Sequence, residues 1–117
     1  MCDDAPIFRQ RVSEIVGEAG VYLEEPVTIR PEEVELIDGC VGRGYALSRQ
    51  EKLNFIRDFA RMEGVILDPV YTGKCMYGFT QEAKKGSFAG SKNVLFLHAG
   101  GLFGLFPARE LFTALRK

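Results

Sequence analysis

Two short apolar runs constrain this chain more than anything else in it: VIL at residues 65–67 and VLFL at residues 94–97. Each is too short for a buried helix and ends in residues that stop a β-ladder. The first meets Asp68-Pro69 and the second a glycine turn over residues 99–104. Both therefore read as buried strands. Val34, Leu36 and Ile37 read as a further short strand or its approach.

Between the runs the apolar spacing turns helical. Asp3, Asp4 and Pro6 suit a helix start, and Phe8, Val12, Ile15, Val16 and Ala19 form one stripe that stops near Gly17 and Gly20. Ser48 and Glu51 form an S-x-x-E capping box ahead of Leu53, Phe55, Ile56, Phe59, Ala60 and Met62. That set is apolar on more than one side, which predicts a well-buried helix closed by Gly64. Thr72 is placed to cap a third helix, with Met76, Phe79 and Ala83 on one face and Gly86 at its end. Pro107 and Glu110 open a fourth, carrying Leu111 and Leu115.

Helices alternating with apolar strands predict an α/β fold, a partial three-layer parallel sheet. So few strands make a poor sheet by themselves. Residues 1–117 therefore read as a single incomplete α/β domain, part of a larger one.

Composition narrows the function classes. Hydrophobic residues are 46% and charged residues 26%, ordinary for a globular chain. A formal charge of -1 offers no overall basic field for nucleic acid or membrane. No apolar run approaches the ~20 residues that span a bilayer. Cys2, Cys40 and Cys75 are odd in number and not in C-x-x-C spacing, and His98 is the single histidine, so no metal site is expected. Reduced thiols and an acidic N-terminus without an apolar signal core fit a cytoplasmic protein.

The residues that could carry chemistry cluster at the ends of the apolar runs. DPVYTGK (residues 68–74) leads from a strand end into a helix, where open α/β sheets bind ligands. By itself the run reads first as an ordinary turn, with Tyr71 a boundary aromatic and Thr72 an N-cap. His98-Ala99-Gly100-Gly101 is either a close backbone approach to a flat ring or anion, or a tight turn. His98 itself reads as a core or rim histidine, not a general base. Tyr45, on the loop DGCVGRGY, either reaches into a cleft or packs over one. Lys74 could form an imine with pyridoxal phosphate, but reads as a surface lysine.

GYALSRQEKL, ARMEGVILDPVYTGK, MYG and NVLFLHAGGLFGLF together resemble the C-terminal segment of the D-cysteine desulfhydrase family and, more distantly, ACC deaminase. The likeness runs from Gly42 to Phe106, and CDDAPIF at residues 2–8 shares it. It implies the fold of the tryptophan synthase β subunit, a pyridoxal phosphate cofactor and a small amino-acid substrate. It assigns Tyr71 and Tyr45 to the substrate side as catalytic residues. Thr72 falls to the pyridine nitrogen, with Ala99 and Gly100 beside the ring. ACC deaminases carry glutamate where Thr72 stands. A carboxylate there would favour a protonated ring nitrogen, so threonine leans toward β-elimination from D-cysteine to pyruvate, ammonia and sulfide.

The pattern departs in two places. The family's strand end reads HTGG, where this chain has Ala99. Its Schiff-base lysine and phosphate loop lie upstream of the matched region, so none of Lys52, Lys74, Lys84, Lys85, Lys92 or Lys117 corresponds. The expectation is a fragment, inactive alone, that associates with an N-terminal portion or forms a homodimer. The rival readings are a segment of an ACC deaminase-type enzyme, a non-catalytic module binding a phosphate ligand, and a structural remnant.

Overall fold

The computed structural model describes residues 4–37 and 50–113. Its elements are four α-helices with short 3-10 turns between them: α1 (Ala5–Ala19), α2 (Gln50–Glu63), α3 (Thr72–Lys84) and α4 (Leu105–Thr113). The chain divides into two compact units, Met1–Asp38 and Gly39–Lys117.

In the first unit α1 starts where the sequence predicts. Asp4 is its N-cap, with a carboxylate oxygen accepting from Ile7 N at 3.4 Å, and Pro6 sits in the first turn. The helix ends at Gly20. It packs against the 3-10 turn Pro31–Glu33, and Ser13 Oγ donates to Ile29 O at 2.6 Å. No residue of α1 is fully buried, and Ile7 and Ile15 stay at least half exposed.

The second unit holds the larger core. Ile56 of α2, Leu67 and Met76 of α3 are buried together, with Phe55, Phe59, Phe79, Phe96 and Phe112 packed around them. The α2–α3 contact is extended by Tyr77, whose ring meets Phe55 edge-on and whose hydroxyl donates to Glu51. Gly64, at φ 67°, closes α2 with its N–H on Ala60 O. Gly86, at φ 86°, follows α3. The α2 stripe is narrower than its composition predicts: Leu53 and Ile56 are buried, but Met62 lies open to solvent. Ser48, the other half of the predicted capping box, lies outside the described residues.

The predicted parallel sheet is absent among the described residues. Among the described residues no strand is assigned, and the fold is helical. Residues 65–67 and 94–97 run outside any helix, as expected of strands, but no ladder joins them. Leu67 is fully buried, whereas Leu95 and Leu97 are 90% and 81% exposed. Runs of three and four residues make few ladder bonds, and a pair of strands without further partners is marginal in water. Residues 34–37 likewise form no strand, although Val34 is buried. The α/β reading and its partial three-layer sheet are therefore overturned.

Candidate functional site

The turn between residue 67 and α3 is organised by the carboxylate of Asp68, which is wholly buried. Its Oδ2 accepts from Val70 N and Tyr71 N, each at 2.7 Å, and its Oδ1 from Thr72 N at 2.7 Å and Thr72 Oγ at 2.6 Å. The Asp68 N–H in turn donates to Thr72 Oγ at 2.9 Å, and the Asp68 carbonyl accepts from Gly73 N at 2.8 Å. Burial alone would raise this carboxyl. The bonds from the Thr72 hydroxyl and from the N–H groups of Thr72, Tyr71 and Val70 outweigh it and hold the group below its ordinary range.

This corrects the role predicted for Thr72. Thr72 is the first helical residue, and Tyr71 occupies the N-cap position without a side-chain cap bond. The orphan N–H groups of the first turn are met from outside the helix by Asp68. Thr72 is buried and turned back onto Asp68, while Tyr71 is 58% exposed.

The second piece is the turn over residues 98–101. His98 Nε2 lies 2.9 Å from Ile66 O, and Gly100 N donates to His98 Nδ1 at 3.2 Å. Because Nδ1 must accept, the proton sits on Nε2 and is donated to the Ile66 carbonyl. His98 thus ties the two extended segments side chain to backbone, at the rim where the sequence placed it. Gly100 and Gly101 are left-handed, at φ 88° and 87°.

Gly101 closes onto the first piece. A Cβ there would stand 2.8 Å from both Cγ and Oδ1 of Asp68. Gly73 is equally confined, since a Cβ would fall 2.5 Å from Asp68 O and from Ile56 Cδ1. The structure thus brings Thr72 and the glycine turn together around one carboxylate. Ala99 is exposed and Gly100 half-buried at the same turn. Tyr45 lies outside the described residues.

Sequence reasoning missed Asp68, Gly73 and Gly101, reading the first only as a strand terminator. The signal was present: an aspartate ahead of proline, with threonine four residues on, suits a side chain that caps its own following turn. Lys74 is also not the surface lysine expected. It is buried, as is Lys52. Burial first, then the charge of Lys52, pushes the Lys74 ammonium below its ordinary value, with Asp68 acting the other way. No described helix is long and apolar enough to cross a membrane.

No family model matches the chain. It is 38% identical, over 98% of its length, to a bifunctional D-cysteine desulfhydrase/1-aminocyclopropane-1-carboxylate deaminase, mitochondrial, of Arabidopsis thaliana. It is 34% identical, over 89% of its length, to a 1-aminocyclopropane-1-carboxylate deaminase of Burkholderia vietnamiensis. A D-cysteine desulfhydrase of Yersinia enterocolitica matches 68% of the chain at 39% identity. The aligned segment is 27%, 31% and 24% of these proteins, so the chain spans about a quarter to a third of their length. The chain belongs to the D-cysteine desulfhydrase/ACC deaminase family and corresponds to a C-terminal part of its longer members.

Proposed function

We propose that this chain supplies the ring-nitrogen and substrate-facing part of a pyridoxal-phosphate-dependent lyase that eliminates sulfide from D-cysteine, leaving pyruvate and ammonia. One observation supports the reading: Thr72 and the turn at Gly101 meet on the buried carboxylate of Asp68. The residues fit the ring-nitrogen end of the cofactor. Thr72 Oγ donates once and accepts once within the turn, which leaves it one lone pair. The glycines allow a flat ring to approach the backbone.

Pyridoxal phosphate, when bound, supplies the electron sink for carbanion chemistry at the substrate α-carbon. By the resemblance, Thr72 would hold the ring nitrogen, and Gly100 and Ala99 would border the ring. Tyr71, exposed beside them, carries its phenol as the proton-transfer group toward the substrate. Tyr45 joins it on the substrate side by resemblance alone. The Schiff-base lysine is not assigned to this chain. Cys75, a free and exposed thiol, accords with a reducing compartment such as the cytoplasm.

The decisive experiment uses the full polypeptide that carries this segment. Pyridoxal phosphate uptake is followed by absorbance, and sulfide release from D-cysteine is measured alongside ammonia release from 1-aminocyclopropane-1-carboxylate. Cofactor uptake with sulfide release is expected. Tyr71→Phe is expected to lower the elimination rate by about 10²-fold or more, the usual weight of a positioned proton donor, with cofactor absorbance unchanged. Ammonia from the cyclopropane substrate with no sulfide would instead favour the deaminase reading, which the names of several relatives support.

A further inference from the structure

We propose that Ile66, Leu95 and Leu97 form an apolar docking face whose occupant is the N-terminal portion of the longer family polypeptide. The inference rests on family membership and not on the cofactor reading above. Residues 65–67 and 93–98 lie outside any helix, and His98 Nε2, 2.9 Å from Ile66 O, ties the two segments together. Side chains of extended backbone leave alternately to opposite sides. Leu67 enters the core with Ile56 and Met76, and Phe96 packs against the same cluster. Their neighbours Ile66, Leu95 and Leu97 are 54%, 90% and 81% exposed, so they point away from that core. The run at 94–97 is thus apolar on both sides, with one side set on the core and the other bare. Such a run is the pattern of backbone covered on both sides.

The three side chains carry no charge and no hydrogen-bonding group, so the surface that fits them is apolar as well. The size of the face decides between occupants. A stable interface between separate chains takes about 20–30 residues a side, and three aliphatic side chains fall far short of that for a second copy. A segment of the same polypeptide docks as an intramolecular event, at an effective concentration on the order of mM, so few contacts suffice. The aligned segment is 27%, 31% and 24% of three relatives, so most of each polypeptide lies outside it. Because the segment is a C-terminal part, that remainder is N-terminal to it. The contact is one of side chains and calls for no ladder.

The test places Leu97→Cys or Ile66→Cys in this chain and in the full polypeptide that carries the segment. Maleimide labelling of each thiol is read by peptide mass spectrometry, relative to the same polypeptide in denaturant. In the chain alone both thiols are expected to label about as fast as when denatured. In the full polypeptide labelling is expected to slow by about tenfold or more, because a thiol out of reach of solvent is inert. If one cysteine prevents folding, the other decides. Labelling of the folded full polypeptide at the denatured rate overturns the inference. Slow labelling in the chain alone overturns it as well, and a dimer by light scattering would then name a second copy as the occupant. Leu97→Asp reads the same face by stability. The chain alone should keep its urea midpoint, and the full polypeptide should lose midpoint, because a carboxylate is costly under an apolar cover. An unchanged midpoint in the full polypeptide overturns the inference. Neither readout involves pyridoxal phosphate, so the functional reading stands or falls separately.

Discussion

Asp68 gathers more of the site than any other residue described. An aspartate whose carboxylate accepts four hydrogen bonds has a folded-state pKa below its unfolded one. Its stabilisation is therefore complete above the unfolded value, near 3.8, and is lost as pH falls toward the lower folded value. The expected outcome is a denaturation midpoint that drops on the acid side of pH 4, and Asp68→Asn should flatten that limb. Urea titrations of both proteins across the acid range check it. Gly73 makes the same turn sterically exclusive. Gly73→Ala sets a methyl against a backbone carbonyl oxygen, which cannot turn aside, and against Ile56, whose side chain is held in the core. It should cost about 1–3 kcal/mol, as overpacking does, read from the same titrations. The aspartate, threonine and glycine of DPVYTGK could be recognised as a motif in the sequence. Their division of labour could not, because which oxygen meets which N–H depends on the path of the backbone through residues 68–73.

The helices were legible as elements and the strands were not. Helix starts and stops are encoded locally, by Asp4 and Pro6 for α1 and by the left-handed glycines after α2 and α3. A strand is completed only by a partner, and VIL and VLFL carry no information about theirs. In the structure these runs are held by other means: Leu67 by the α2–α3 core, and residue 66 by the His98 side chain. Leu67→Ala should cost about 2–5 kcal/mol, the range for a large core truncation, and should loosen α2 and α3 together. Leu95→Ala, at a position 90% exposed, should change stability by no more than about 0.5 kcal/mol. Chemical denaturation of the two variants gives the comparison.

Across the whole molecule, stability should be uneven. The first unit has an amphipathic helix with no fully buried residue, whereas the second packs five aromatic rings around Ile56, Leu67 and Met76. Amide exchange is expected to be faster in α1 than in α2 and α3, since sparse apolar burial marks the segments that open first. Ser13→Ala, by removing the bond to Ile29 O, should speed exchange in α1 and leave α3 unchanged. Hydrogen-exchange mass spectrometry by segment reads both effects.

By itself the sequence determined the helices, the N-cap of α1 and the family, because these rest on local spacing and on residue types that survive in order along the chain. It also marked DPVYTGK and HAGG as candidate site stretches. Only the tertiary structure decided that the two stretches meet on the buried carboxylate of Asp68, that Thr72 faces inward while Tyr71 faces solvent, and that the apolar runs form no ladder. The meeting of the two stretches and the missing ladder turn on which atoms distant in sequence come within reach, which no local pattern encodes, and the inward turn of Thr72 on the path of the backbone over residues 68–72.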